Sequence, residues 1–104
     1  MADAPMLDPM GRTVVLHDRT WDGHIVKAHS DVSGCRSLAE QAVRAPSEIR
    51  YSKSDADCRI YYGAGPRPGL MIAVVADVIA GVVKTVHLAK RISGGGVEWS
   101  SPTP

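Results

Sequence analysis

The spacing of apolar residues predicts a short strand followed by a helix near the start of the chain. Residues 12–16 (RTVVL) are rich in β-branched side chains, which favour extended structure. From residue 21 to about residue 29, Trp21, Ile25 and Ala28 recur at intervals of four and three, the period of one helix face. Gly23 costs this helix about 1 kcal/mol relative to alanine. We therefore expect close packing or a ligand there, unless the glycine is incidental.

A second helix is predicted between Ser37 and Pro46. Leu38 and Ala42 are four residues apart, and Pro46 cannot continue a helix. Ser37 is followed three residues later by Glu40, the spacing of a capping box, in which each side chain satisfies a backbone N–H of the first turn. We therefore expect Ser37 to cap the second helix.

The second half of the chain predicts four strands arranged as two hairpins. Residues 48–53 (EIRYSK) and 58–62 (CRIYY) are β-rich runs separated by a polar turn, so we expect them to pair antiparallel. Residues 70–78 (LMIAVVADV) and 82–88 (VVKTVHL) flank a turn at Gly81. A buried helix is the alternative for the first of these runs, but its β-branched content favours a central hairpin.

Together these elements predict an α+β domain. An N-terminal edge strand and two helices pack on a four-stranded antiparallel β-sheet, which leaves the other sheet face free to hold a site. Residues 1–10 show neither the helix nor the strand period, and we expect a disordered N-terminal arm there. The domain then covers residues 11–99, and residues 100–104 are expected to form a tail.

Composition and charge limit the classes of protein to which the chain can belong. Its 104 residues fit one domain, and 44% apolar with 22% charged residues is typical of a globular protein. The net charge of +1 gives no overall attraction to nucleic acid or membrane, so a polyanion site must be local. The longest apolar stretch, residues 70–83, contains Asp77 and is shorter than the roughly 20 residues of a membrane span. We expect a cytoplasmic protein with no membrane partner.

The histidines and cysteines do not have the spacing of metal ligands. His24 and His29 are five residues apart, whereas a helical metal pair is separated by four. Cys35 and Cys58 lack a CxxC partner and are too few for a disulfide framework, so reduced thiols are expected. We expect no metal and no other cofactor, and surface or capping roles are the alternative for both histidines.

Strand alternation predicts a polar surface on the sheet. Arg59 and Tyr61 point to the same side of their strand, and Thr85 and His87 point to the same side of theirs. We expect these four side chains to share one surface. The alternatives are a solvated charge for Arg59 and a cross-strand packing partner for Tyr61.

A local group of cations could bind phosphate. Lys84, Lys90 and Arg91 have no acidic residue near them in the sequence, and Arg67 lies at the tip of the Gly- and Pro-rich segment 63–69, which predicts a mobile loop. These four residues are predicted to form a rim that follows the phosphates of single-stranded RNA. The alternative is a solvated edge strand protected by lysine.

Three segments carry a resemblance to a known family. They are TWDGHIVKAH at residues 20–29, EIRYSKSDADCRIYY at residues 48–62 and VVKTVHLAK at residues 82–90. Through them the chain resembles the phage-associated barnase, EndoU, colicin and RelE-like nuclease family, over about residues 12–99. Members of this family have two helices followed by a four-stranded antiparallel sheet.

The resemblance implies metal-independent cleavage of RNA. The ribose 2′-OH attacks the adjacent phosphate and leaves a 2′,3′-cyclic phosphate, which needs a general base, a general acid and donors around the phosphorane. His24 and His29 match the two histidines of the family pattern and are the first candidates for base and acid. Ser30 stands where the family usually has proline, and Gly23 precedes His24, which bears on whether activity is retained. The catalytic candidates on the strands are Arg59, Tyr61, Thr85 and His87.

The leading hypothesis is therefore a small endoribonuclease, as a toxin or phage effector. Its expected partners are RNA, with tRNA as one candidate, and a cognate inhibitor or host protein. The alternative is a non-enzymatic phage accessory or interaction protein on the same fold, since a fold does not determine function. A simple nucleic-acid-binding module is a third hypothesis, which the near-zero net charge and the five aromatic residues disfavour.

Overall fold

A computed structural model describes residues 2–102. Two helices precede most of the strands. The first helix covers residues 18–28 and is irregular: Asp18–Thr20 and Val26–Ala28 are α-helical, and Trp21–Ile25 is a π turn. A short 3₁₀ turn, Ser30–Val32, leads to the second helix, Arg36–Arg44. The strands are β1 (Ala4–Leu7), β2 (Thr13–Leu16), β3 (Glu48–Tyr51), β4 (Cys58–Ala64), β5 (Met71–Asp77), β6 (Val82–Ala89) and β7 (Val97–Ser100).

The α+β class is confirmed, but the predicted four-stranded antiparallel sheet is wrong. Seven strands form one sheet in the order β1-β2-β6-β5-β4-β3-β7. The two predicted hairpins, β3–β4 and β5–β6, are antiparallel as expected. The sheet is mixed because β2 joins β6 in parallel, through the residue pair Val15 and Val82. The sequence missed β1 because residues 4–7 lack a strand pattern, and it missed β7 because its partner, β3, is distant along the chain.

The predicted N-terminal arm contains a strand. Residues 4–7 (APML) have neither strand alternation nor β-branched side chains, yet they pair antiparallel with β2, and Met6 is buried. The predicted edge strand, β2, is therefore covered by β1 on its outer side. Ser100, placed in the tail by the sequence, ends β7. Residue 1 of the predicted arm and residues 103–104 of the tail lie outside the described residues.

The second helix begins two residues earlier than predicted and without the capping box. Cys35 is its N-cap and makes no side-chain cap hydrogen bond. Glu40 instead accepts a hydrogen bond of 3.3 Å from Arg36, one turn earlier. The buried Arg36 guanidinium also pairs with Asp18 and donates to the carbonyl of Ala2 at 2.8 Å. These contacts connect both helices to the N-terminal segment. Glu40 therefore helps to position Arg36 and does not cap the helix.

The hydrophobic core lies between the helices and one face of the sheet. Trp21 and Ile25 contribute from the first helix, and Ala42 and Val43 from the second. In the π turn, the N–H of Val26 donates to the carbonyl of Trp21, five residues earlier. The close packing that the sequence predicted at Gly23 is absent, because a Cβ there would meet no atom within 4 Å.

The opposite face of the sheet is partly covered by the connection between β6 and β7. These strands run parallel, with β5, β4 and β3 between them, so residues 90–96 must cross the sheet. The Tyr62 hydroxyl donates to the Ser93 carbonyl at 3.0 Å and accepts from its N–H at 3.1 Å. Tyr62 is buried as a result. The sequence predicted that this sheet face is free, but part of it is covered.

A cluster of charged and polar side chains joins the two ends of the sheet. We call Asp8, Arg12, Arg59, Tyr61 and Glu98 the polar cluster. The carboxylate of Asp8 accepts hydrogen bonds from the Tyr61 hydroxyl at 2.6 Å and from Arg12 Nε at 2.8 Å. Glu98 accepts from Arg12 at 2.7 Å and from Arg59 at 2.8 Å. Because Arg12 precedes β2 and Glu98 belongs to β7, the sheet curls until its outer strands approach each other.

We expect Gly63→Ala to destabilise the protein by about 1–3 kcal/mol. A Cβ at Gly63 would lie 2.8 Å from Cβ and 3.0 Å from Cα of Ala42, so the second helix would have to move away from the sheet. Gly23→Ala is the matched control, because the added methyl meets nothing and alanine favours the helix by up to about 1 kcal/mol. Urea denaturation gives the free energy of unfolding of both variants. An equal loss of stability in the two would contradict the close packing of Gly63 on Ala42.

We expect Glu98→Gln to lower the free energy of unfolding by about 3 kcal/mol at pH 7. We also expect the stability of this variant to depend less on pH in the acid range. Burial raises the pKa of Glu98, but hydrogen bonds from Arg12 and Arg59 outweigh it, so the pKa lies below its ordinary value. A carboxyl group whose pKa is lowered by folding stabilises the folded state at pH values above its ordinary pKa. This contribution is lost as the pH falls through the folded-state pKa. The amide cannot titrate, so unfolding free energies should fall less steeply below about pH 4.5.

Asp22→Asn, at an exposed carboxylate on the first helix, is the control for this experiment. It should keep both the stability at pH 7 and the acid dependence of the parent protein. A Glu98→Gln protein as stable as the Asp22→Asn protein at pH 7 would show that the polar cluster does not hold the sheet.

Candidate functional site

Two of the predicted catalytic histidines meet beside strand β6. His29 follows the last residue of the first helix, and His87 lies near the end of β6. Their ring centroids are 5.9 Å apart, and the ring planes are tilted by 42°. We call them the histidine pair. β2 contacts β6 near its start only, at Val82, so the 3₁₀ turn after His29 can pack against the rest of that strand.

Neither ring of the histidine pair is engaged by other side chains. Within residues 2–102 no hydrogen bond or ion pair involves the imidazole of His29 or of His87. Burial lowers the pKa of His87, the neighbouring His29 lowers it further, and Asp31 raises it in part, so that the pKa lies below its ordinary value. His87 is therefore a half-buried imidazole that favours the neutral form and has both nitrogens free to bind a ligand.

An open cleft of about 540 Å³ lies between the turn after the first helix, the loop before β5 and the end of β6. Two of the predicted phosphate-binding residues, Arg67 and Lys90, line it. Asp31, two residues after His29, and Leu88, next to His87, also belong to its wall. Neither histidine is among the residues that line the cleft, and Leu88 packs against the core on the side of β6 opposite to His87, so the cleft and the pair are connected through neighbouring residues of the chain.

The loop that carries Arg67 is held by backbone hydrogen bonds, where the sequence predicted a mobile loop. The N–H of Gly65 donates to the carbonyl of Leu70 at 3.1 Å, and the N–H of Leu70 donates to the carbonyl of Arg67 at 3.2 Å. A Cβ at Gly65 would lie 2.3 Å from the Leu70 carbonyl oxygen, and Gly69 has a φ of 85°. Both glycines are needed for this closed turn, which fixes the place of Arg67 at the cleft.

The predicted polar surface of four strand residues is not formed. Tyr61 pairs with Val74 and Val74 with Val86, so Tyr61 and Val86 face the core together. Thr85 and His87 alternate with Val86 and therefore face the other side of the sheet. Alternation was predicted correctly within these parts of β4 and β6. The register between the strands, which includes a bulge near Val75, was not readable from either strand alone.

Arg59 and Tyr61 belong to the polar cluster and lie away from the histidine pair. The Tyr61 side chain is fully buried, and its hydroxyl donates to Asp8. Arg59 binds Glu98, donates to two backbone carbonyls in the β3–β4 turn region and stacks on Tyr51, with its guanidinium carbon 4.4 Å from the ring centroid. The Tyr61 hydroxyl and two of the three guanidinium nitrogens of Arg59 are therefore used in structural contacts.

The remaining predicted site residues are dispersed. His24 is exposed on the π turn and is not part of the histidine pair. Lys84 lies at the β6 bulge and Arg91 after the end of the strand, both exposed. The structure thus brings His29 and His87 together, and it places Arg67 and Lys90 in the wall of one cleft. Sequence reasoning missed Asp31, although its position two residues after a candidate histidine was a usable signal.

Comparisons with known protein families, curated proteins and solved structures give no match to this chain. The resemblance to the nuclease family therefore stays a prediction. Among residues 2–102, no group of three or more His, Cys, Asp or Glu side chains is placed to hold a metal ion. None of the helices in the same part of the chain is long and apolar enough to cross a membrane.

We expect the pKa of His87 to respond to its two neighbours in opposite directions. His29→Gln removes the neighbour that lowers the pKa of His87 and should raise that pKa towards 6.5, whereas Asp31→Asn should lower it further. The measurement is a pH titration of the imidazole resonances by NMR, with His24→Gln as the control that leaves His87 unchanged. An ordinary pKa for His87, or one insensitive to His29→Gln, would contradict the arrangement.

Proposed function

We propose that this protein is a metal-independent endoribonuclease with its active site at the histidine pair. The observation that carries the proposal is the approach of two imidazoles to 5.9 Å, with no hydrogen bond or ion pair to either ring among residues 2–102. A cleft at the neighbouring residues Asp31 and Leu88 is lined by two cations. Two imidazoles at one phosphodiester can supply a general base and a general acid near neutral pH. Attack by the ribose 2′-OH needs both groups and the cations, and it needs no other nucleophile.

The roles of the two histidines follow from their surroundings. His87 would act as the base, because its pKa is lowered, mainly by burial, and the neutral imidazole is favoured. It would take the proton of the 2′-OH as that oxygen bonds to phosphorus. His29 would give a proton to the 5′-oxygen as the bond between that oxygen and phosphorus breaks. The products are a 2′,3′-cyclic phosphate and a free 5′-hydroxyl.

Arg67 and Lys90 would bind the phosphate that reacts. Both side chains are exposed, and the structure gives neither an acidic partner within residues 2–102. By contrast Arg12, Arg36 and Arg59 are each bound to a carboxylate. Cations without protein partners can stabilise the charge that develops on the phosphorane.

The competing hypothesis of a non-enzymatic interaction protein has weaker support. Large apolar side chains are exposed at Leu7, Met10, Tyr51, Ile79 and Val97, and they are distributed over different strands and turns. A histidine pair without hydrogen-bond partners has no evident use in such a protein. An interaction partner becomes the better explanation if no RNA is cleaved.

We expect purified protein to cleave labelled total RNA and tRNA in excess EDTA and to leave 2′,3′-cyclic ends. His87→Ala and His29→Ala should each lower the rate by at least about 100-fold, because each removes a general catalyst. End-group analysis of the products identifies the mechanism. Growth arrest on expression, lost in the His87→Ala variant, would support a role as a toxin or phage effector.

The other two histidines are the matched controls. His17, which pairs with Asp3 at 3.0 Å on the surface, and the exposed His24 lie outside the pair. His17→Ala and His24→Ala should cleave within about twofold of the parent rate. Loss of cleavage in His24→Ala with full activity in His87→Ala would place the active site on the first helix and overturn the proposal.

A further inference from the structure

We propose that the histidine pair binds one zinc ion and that the bound ion inhibits the enzyme. His29 and His87 would supply two of the ligands, and water would occupy the other coordination positions. The inhibitory part of this inference rests on the proposed function and deepens it, because it names a regulator of the same two side chains. The ion is no cofactor here, since the proposed cleavage needs none.

Both imidazoles are available to a metal ion. The neutral imidazole is a common zinc ligand, and it binds through the one ring nitrogen that carries no proton. Among residues 2–102 no hydrogen bond or ion pair involves the ring of His29 or of His87. His17, by contrast, contacts the carboxylate of Asp3 at 3.0 Å. An ion at the histidine pair therefore displaces no protein partner from either ring.

The separation of the two rings fits a shared ion. A zinc ion lies about 2.0–2.1 Å from each imidazole nitrogen that binds it, which places the centroids of two rings on one ion about 5–6 Å apart. The centroids of His29 and His87 are 5.9 Å apart. Coordination constrains the direction of each nitrogen but not the angle between the ring planes, so the tilt of 42° is compatible with it. The terminal torsion of histidine is broad, which lets each ring turn towards the ion.

The charges near the histidine pair oppose one another. Asp31, two residues after His29, lies near His87 and raises its pKa in part, and a carboxylate at that place also favours a cation. No ion pair or hydrogen bond among the described residues occupies this carboxylate. Arg67 and Lys90, which line the cleft together with Asp31, repel a cation. Asp31 therefore offsets part of an unfavourable field.

Two protein ligands make an exchangeable site. Structural zinc sites use four protein ligands and bind tightly. In the part of the chain that the structure describes, no third His, Cys, Asp or Glu side chain is placed to complete a metal site around the pair. We therefore expect an affinity on the order of micromolar, and we expect a chelator to remove the ion.

The spacing of histidines along the chain could not reveal this site. The sequence compared His24 with His29, which lie on one helical segment and are five residues apart. The structure instead joins His29, after the first helix, to His87 on β6. Ligands from two distant segments follow no local pattern.

A bound ion removes the two groups that the proposed cleavage uses. The nitrogen of His87 that binds the ion cannot take the proton of the 2′-OH, because its lone pair is engaged. The nitrogen of His29 that binds the ion carries no proton for the 5′-oxygen. Zinc at the histidine pair should therefore stop cleavage.

The first test is calorimetry with zinc chloride and the full chain. We expect one zinc ion to bind per molecule of the parent protein. His29→Ala and His87→Ala should each weaken binding at least about tenfold, since each removes one of two protein ligands. His17→Ala and His24→Ala are the matched controls and should bind as the parent does. Magnesium chloride should not bind, because Mg²⁺ prefers oxygen ligands.

The second test uses the parent protein only, so it does not depend on the folding of a variant. Zinc should shift the imidazole NMR resonances of His29 and His87 and leave those of His17 and His24 in place. No binding, binding that survives loss of both rings in the double variant His29→Ala/His87→Ala, or shifts confined to His17 or His24 would each overturn the site.

The effect on cleavage separates the two proposals. Zinc at concentrations that saturate the site should lower the rate of the parent and of the His24→Ala protein at least about tenfold, and excess EDTA should restore it. Unchanged or faster cleavage with zinc bound at the pair would overturn the inhibition and leave the nuclease standing. Zinc binding through the pair in a protein that cleaves no RNA would support the metal site and overturn the nuclease.

Discussion

The fold depends on one carboxylate shared by two arginines. Glu98, in the last strand of the chain, binds Arg12 from the N-terminal hairpin and Arg59 from the middle of the sheet. Two charged side chains would be costly to bury beside each other without it. Asp8 completes the arrangement by binding Arg12 and the Tyr61 hydroxyl. Burial and the bond to Asp8 both raise the pKa of Tyr61, which keeps its hydroxyl protonated as a donor.

This constraint also decides where the candidate site can form. The N-terminal hairpin contacts β7 through Arg12 and Glu98, and β2 pairs with β6 at Val82 only. The later part of β6 therefore has no strand partner on that side. The segment from His29 to Val32 occupies that place and brings His29 to His87. The segment that covers this edge of β6 also supplies Asp31 to the wall of the cleft.

Local patterns predicted the local elements and little beyond them. The hairpins around residues 54–57 and Gly81 were predictable because each strand pairs with its sequence neighbour across a short polar turn. β1 and β7 were not, since each is a strand mainly through its pairing and through burial of residues such as Met6. The capping box failed for a related reason, because the tertiary contacts of Arg36 use the carboxylate of Glu40.

The candidate site shows the same limit at the level of single residues. The residue types Arg and Tyr suit phosphate chemistry, and Arg59 and Tyr61 were chosen on that basis, but type does not show whether a polar group is already bound. Glu98 lies 39 residues from Arg59, so no local pattern could show that their charges meet. The histidines differ because no acidic or carbonyl partner binds the imidazole of His29 or His87 within the described residues. What separates a catalytic candidate from a structural residue here is the absence of a competing partner, and that is a property of the folded chain.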